Sequence, residues 1–373
     1  MTRGKVREFF PGGNTSLGFF SYYDHLVPPD ATRIMIIKGG PGVGKSSFMK
    51  ALAVEMGELG FDVELHHCSS DSNSLDGVVF PQIEVALIDG TSPHIVDPRH
   101  PGAVDEIIYL GDYWDEKGIR PSRKEIIELN REISRNFNRA YRYLKTAKAI
   151  YDDLEIINSE GLALGRANKM AAELIEELFA GYQVADEPGR LRRLFASAIT
   201  PEGFQNFLPG LLEIQARVFA VSGGIGSGKA TLLKKVLAAA LEKGFNCEGF
   251  YCAFDPNKLE HLLIPQMGVA FTTSMEPHSC PLDQADRIDM DQCIAGYIQT
   301  KYGALISSEL KIVEEFMETG IKFIAKAKGL HDQMEEYYIP NMNFTAITQL
   351  RKVILERILN YAAEKELNFY RAR

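Results

Sequence analysis

At 373 residues with 45% apolar side chains, the chain is too long for one ordinary core and suits two domains of about 100–200 residues each. A formal charge of −9 and a pI near 5.5 argue against a nucleic-acid coat or an anionic-membrane binder, because neither partner is attracted to such a surface as a whole. Five cysteines (Cys68, Cys247, Cys252, Cys280, Cys293) form an odd set without a C-x-x-C pair, which indicates neither a disulfide framework nor a zinc knuckle. The charged N-terminus, Met1 to Arg7, is followed by no sustained apolar segment, and none elsewhere is long enough to span a bilayer. A cytoplasmic protein with reduced thiols is expected, and no membrane partner.

In chain order, the first strong element is the apolar run Ile34-Met35-Ile36-Ile37, which reads as a buried parallel strand. It leads into Gly39-Gly40-Pro41-Gly42-Val43-Gly44-Lys45-Ser46-Ser47, a match to G-x-x-x-x-G-K-[ST] at every fixed position. The glycines let successive backbone N–H groups turn inward on a phosphate chain, Lys45 is the residue that reaches β- and γ-phosphates, and the Ser46 hydroxyl is a Mg²⁺ ligand. The positive end of the following helix, expected from Lys45 to about Leu59 and stopped by Gly60, adds to the anion site.

Phe61 to Cys68 alternates as a second strand, and Ile83 to Asp89 reads as a third and more buried one, so a βαβ series with a parallel sheet is expected. Val85-Ala86-Leu87-Ile88-Asp89 closes an apolar strand with an acid, the placement by which a carboxylate holds Mg²⁺ directly or through water. Asp71 follows the second strand, where open α/β sheets put ligand-contacting groups. It is a candidate general base or water positioner, and equally a turn-forming aspartate in Ser-Asp-Ser-Asn. Thr91 and His94 continue from Asp89, and His94 has a turn role as its alternative. His66-His67-Cys68 has metal-binding composition, but consecutive strand residues face opposite ways and a structural role is preferred. From about Ser122 to Phe179 the pattern becomes helical, an expected antiparallel hairpin. Arg131, Arg135, Arg139 and Arg142 share one of its faces with Glu125, Glu128 and Glu132 nearby, which favours a solvated, salt-bridged surface over an anion site.

The second half repeats the first. Gly223-Gly224-Ile225-Gly226-Ser227-Gly228-Lys229-Ala230-Thr231 follows the apolar run Val218 to Val221, and Lys229 stands 184 positions after Lys45. That offset also carries Gly60-Phe61 to Gly244-Phe245, Cys68 to Cys252, Asp71 to Asp255, Pro81-Gln82 to Pro265-Gln266, and His94 to His278. Farther on it falls to 180, pairing Ala147-Lys148 with Ala327-Lys328, Asp152 with Asp332 and Glu155 with Glu335. Upstream, Thr15 to Phe19 resembles Thr200 to Phe204, and Tyr182 to Gly189 is polar and broken by Pro-Gly. Two domains, 1-187 and 188-373, are therefore expected, each an α/β unit with an appended helical hairpin. The second loop keeps its glycines and Lys229, but Ala230 stands where Ser46 does and Thr273 where Asp89 does. Both losses strike the metal shell, so the second loop is expected to hold phosphate or nucleotide with little turnover, Thr231 substituting in part.

Gly39 to Ser46 together with Asp89 resemble the P-loop NTPase superfamily. The paired arrangement looks like a group of uncharacterised bacterial tandem P-loop ATP-binding proteins, a resemblance that runs over nearly the whole chain and implies no known substrate. It implies two tandem P-loop units, each a parallel sheet flanked by helices. An N-K-x-D guanine motif is missing, since Asn168-Lys169 is followed by Met170-Ala171, which favours ATP. The leading expectation is a Mg²⁺-dependent ATPase working through Lys45, Ser46 and Asp89. The alternatives are a small-molecule kinase with Asp71 as base, and a nucleotide-stabilised scaffold without turnover. The acceptor or protein partner is open.

Overall fold

The computed structural model describes residues 3–91, 95–273 and 284–371, with side chains described to residue 365. In chain order the first half carries β1 (Val6–Phe9), β2 (Gly12–Thr15), β3 (Gly18–Ser21), β4 (Arg33–Lys38), α1 (Lys45–Glu58), β5 (Val63–Cys68), β6 (Asp71–Phe80), β7 (Val85–Asp89), β8 (Asp105–Tyr109), α2 (Glu116–Ile119), α3 (Arg123–Ser159) and α4 (Leu164–Phe179). The second carries β9 (Leu191–Leu194), β10 (Ser197–Thr200), β11 (Gly203–Asn206), α5 (Leu208–Leu212), β12 (Arg217–Ser222), α6 (Lys229–Glu242), β13 (Cys247–Tyr251), β14 (Leu259–Ile264), β15 (Val269–Thr273), β16 (Asp286–Asp289), α7 (Tyr297–Tyr338) and α8 (Phe344–Arg371). A 3₁₀ turn at Ile339–Asn341, containing Pro340, separates α7 from α8.

The fold is α/β, with two six-stranded sheets flanked by helices. The first runs β1-β5-β6-β7-β4-β8 and the second β16-β12-β15-β14-β13-β9, the same order once corresponding strands are matched. Met35, Ile36 and Ile37 of β4 have no exposed surface, as a central strand covered on both faces requires. The sheets are mixed rather than parallel. β6 inserts between β5 and β7 and runs antiparallel to both, and β14 does the same between β13 and β15. Ser72-Asn73-Ser74 opens β6 with turn-forming residues and Asp76-Gly77 interrupts its apolar run, so strand alternation is hidden until Val78, Val79 and Phe80, all buried. The edge strands β1 and β8 were equally hidden by charge: Arg7 of β1 pairs with Glu64 of β5 at 3.3 Å.

The compact units do not follow the 1-187/188-373 division. One comprises Met1–Gly12, Ser21–Asn138 and Phe323–Arg373, the other Gly13–Phe20 and Arg139–Lys322, so both boundaries within the long helices fall inside α3 and α7. A helix of 37 or 42 residues spans about 55–63 Å, roughly twice the width of a small domain, and cannot be covered along its whole length by the core it leaves. In the first unit, α8 closes the core. Its Ile347, Ile354, Ile358 and Ala362 pack with Met49, Leu52 and Met56 of α1. In the second unit α4 packs on α6, and the hairpin β2–β3 docks through Asn14, whose amide donates to the Ile199 carbonyl at 3.0 Å and accepts from Tyr141 at 3.0 Å. Among the described residues no helix is long and apolar enough to cross a membrane.

Candidate functional site

The loop of the first unit leaves β4 and enters α1 with Gly42 and Gly44 at φ values of 66° and 89°, which side chains with a Cβ rarely adopt. Val43 turns into the core with no exposed surface and anchors the loop from below. Lys45 begins α1, and its ammonium donates to the Gly40 carbonyl at 2.9 Å and the Gly39 carbonyl at 3.4 Å while lying 3.7 Å from the Asp89 carboxylate. Parallel pairing of β4 with β7 sets Ile37 beside Asp89, which brings the acid to the base of the loop. Asp89 in turn accepts from the Thr91 N–H at 2.9 Å, and the Thr91 hydroxyl donates to the Gly39 carbonyl at 3.2 Å. The Ser46 hydroxyl oxygen accepts from the Leu75 N–H at 2.9 Å.

These groups line a cavity of about 710 Å³, within the size range of small-molecule sites. Asp71 lines it too. One Asp71 oxygen accepts from the Asn73 N–H at 3.1 Å, the turn geometry of its alternative reading, and the other lies 3.4 Å from the Lys328 ammonium. The far wall comes from α3 and α7: Ile133, Phe137 and Met334 are apolar, while Asn130, Ser134 and His331 offer polar atoms. Burial pushes His331 down from the ordinary histidine value, against the opposing pull of Glu335 and Asp332 beside it. Glu335 reaches the loop itself, accepting from the Gly42 N–H at 3.2 Å. A Cβ on Gly42 would lie 2.9 Å from Ile339 and 3.2 Å from Glu335, so the end of α7 rests directly on the loop.

Sequence reasoning missed Asp76. Gly77 pairs with Ile88, so the neighbouring Asp76 and Asp89 meet at the same end of two antiparallel strands, and both line the cavity. Asp76 is buried and accepts from the Tyr23 hydroxyl at 2.9 Å. Burial and the Asp76 carboxylate push both the Tyr23 phenol and the Cys68 thiol well above their ordinary values, which keeps them as neutral donors around it. Recognising β6 as a strand would have found it.

Other expected groups lie elsewhere. His66 is buried and stacked on Phe9 at 5.3 Å, and His67 faces Glu8 at 3.0 Å, so His66, His67 and Cys68 do not converge. Arg131 and Arg135 pair with Glu128 and Glu132 on an exposed helix face. His94, His278 and Cys280 lie outside the described residues.

The second loop repeats the two left-handed glycines, with Gly226 and Gly228 at 74° and 93°. Its lysine is tied more tightly: Lys229 donates to the Gly223 and Gly224 carbonyls at 2.5 and 2.6 Å. Burial lowers its ammonium to about 8, against the opposing pull of Asp291, Glu260 and Glu155. The Gly224 N–H donates to Asp291 at 2.7 Å. Thr273 is buried beside Val221, and Thr231 is exposed. Where the first unit has Ser70, Ser74 and His331, the second has Phe254, Lys258 and Tyr151. Phe254 meets Tyr151 edge-on at 5.8 Å, and Lys258 lies over Tyr151 and pairs with Glu155. Bulk and an ion pair thus fill the region that is open in the first unit.

No family model, curated protein or solved structure matches the chain, so the reading of the site rests on its own geometry.

Proposed function

We propose that the first loop binds the triphosphate of ATP and that the protein hydrolyses ATP with Mg²⁺, as a P-loop NTPase whose second loop is catalytically weak. The observation that carries this is the convergence of Lys45, Ser46 and Asp89 with the loop's backbone N–H groups on one wall of the 710 Å³ cavity. The donor set fits Mg²⁺, a hard cation that takes oxygen ligands: the Asp89 carboxylate and the Ser46 hydroxyl oxygen, which retains a lone pair beyond the bond from Leu75. When bound there the metal supplies charge neutralisation on the transferring phosphoryl group. Lys45 exchanges two carbonyl acceptors for phosphate oxygens, a stronger charge-assisted pairing. Asp71, in the same wall, is the group proposed to position the attacking water and take its proton.

Thermal-shift titration with ATP, ADP and GTP, each with and without Mg²⁺, followed by phosphate-release measurement, tests this. A shift by none of them sinks the proposal. The kinase reading has one observation in its favour, the extension of the cavity from the phosphate site to Ile133, Phe137 and Asn130, more room than water needs. A metabolite-dependent rise in ADP release distinguishes it.

Glu335 offers an anion to the Gly42 N–H that the reading assigns to phosphate, so the two compete. Glu335→Gln removes the charge, and a charged hydrogen bond is worth enough that ATP affinity is expected to rise about ten-fold. Isothermal calorimetry measures it, and unchanged affinity separates Glu335 from the phosphate site.

In the second unit, Ala230 and Thr273 supply no carboxylate or serine hydroxyl for a metal, and Lys229 is held by its own loop. Lys229→Ala is expected to keep most of the Mg²⁺-dependent rate while altering thermal stability or nucleotide stoichiometry. Loss of all turnover with the melting temperature intact would mean that the two loops act as one catalytic unit.

A further inference from the structure

Gly44, Ser47 and Phe344 line both the 710 Å³ cavity and a second one of about 200 Å³, which is also lined by Ile347, Thr348 and Arg351 of α8. Phe344 is 42% exposed although it is a large aromatic side chain beside a well-packed core. A Cβ on Gly44 would lie 3.4 Å from its ring, so the loop and the ring are in close approach. The Arg351 guanidinium is fixed by Glu55 of α1 at 3.2 Å, yet its Nε–H is buried and has no hydrogen-bond partner among the described residues. A buried donor left unmade costs stability unless a ligand or water satisfies it.

We propose that this smaller cavity is the nucleobase subsite. The inference rests on reading the first loop as a nucleoside triphosphate site. In such a loop the lysine reaches the β- and γ-phosphates and the serine hydroxyl serves the metal between them. The terminal phosphate therefore lies toward Lys45, Ser46 and Asp89, and the nucleoside leaves over Gly44 and Ser47, which also line the smaller cavity. Its chemistry suits a planar heteroaromatic ring. Phe344 supplies a π-face and Ile347 an apolar wall, while the Thr348 hydroxyl is spent on the Phe344 carbonyl at 2.8 Å. Arg351, which also lines the cavity, brings guanidinium N–H donors for an acceptor on the edge of the base. The subsite comes from the last helix of the chain, about 300 positions from the loop that holds the phosphates.

Calorimetric binding of ATP and of inorganic tripolyphosphate to the full-length protein, both with Mg²⁺, tests it. Wild type is expected to bind ATP more tightly than tripolyphosphate. Phe344→Ala is expected to weaken ATP about ten-fold, the scale of base–aromatic stacking, and to leave tripolyphosphate within about two-fold. Phe344→Leu, which keeps an apolar side chain for packing and removes the π-face, is expected to shift ATP in the same direction with an unchanged melting temperature. Equal binding of ATP and tripolyphosphate to wild type, or ATP affinity unchanged in both variants, overturns the subsite while the phosphate site stands. If neither ligand binds wild type, the loop reading fails and the subsite with it.

Discussion

Phosphate release from ATP by the Lys45→Ala protein is expected to fall about 100- to 1000-fold, the loss seen when one preorganised donor to developing charge is removed. The substitution deletes the only charge that the first loop itself carries and leaves its backbone N–H groups in place. Lys45 is also well placed to be missed by the phosphate: 13% of its side chain is exposed, and it stands between the Gly40 carbonyl and Asp89 in the wall of the cavity. ATP binding should weaken as well, because the ammonium contacts the phosphates in ground and transition state alike. Comparing rate and bound nucleotide in Lys45→Ala and Lys229→Ala separates the two loops. Turnover equal to wild type in Lys45→Ala would falsify the assignment of the first loop as the catalytic one.

For Asp89→Asn, ATP is expected to bind while the Mg²⁺-dependent rate drops by at least about 100-fold, since an amide is a poor ligand for a hard cation and the metal is a main stabiliser of phosphoryl transfer. The substitution is nearly isosteric. The amide oxygen can still accept the Thr91 N–H now held at 2.9 Å, so the turn after β7 is retained and a loss of rate reports chemistry rather than unfolding. Titrating the rate with Mg²⁺ and Mn²⁺ reads the metal directly. If the metal dependence is unchanged, the carboxylate that holds it is another one, and Asp76, which meets Asp89 across β6 and β7, is the first to replace.

How much of this was legible in the sequence varies with the distance over which each residue acts. The strand at Ile34 to Ile37, the loop from Gly39 to Ser46 and the start of α1 are local: a run of apolar residues, glycines at left-handed positions and a helical period are each written within a few positions. Asp89 was legible as an acid ending an apolar strand, and its place beside β4 follows from pairing the two most apolar strands. The helical stretches were legible from their period, but where they pack was not: α4 lies on α6 in the second unit and α8 on α1 in the first, not on the core of the half each belongs to. β6 was not legible, because Asp76-Gly77 and the serines and asparagine before it break alternation. With β6 went the antiparallel insertion that mixes the sheet and sets Asp76 against Asp89.

The sequence by itself determined the two glycine-rich loops with their lysines, the repeat and the loss of Ser46 and Asp89 equivalents in the second half, since these depend only on residue identity at fixed spacing. Only the tertiary structure decided what covers the first loop. Glu335 meets Gly42 across 293 positions, and Lys328, His331, Phe344 and Arg351 arrive by the same route. Helical periodicity reports that one face of α7 or α8 is apolar; it carries no information about which core that face will bury. Two cores of similar make-up stood in the chain, and the 42-residue length of α7 took its far end beyond the stretch where it began. The choice was made by packing of Ile347, Ile354 and Ile358 against α1, a long-range fit that no local pattern records.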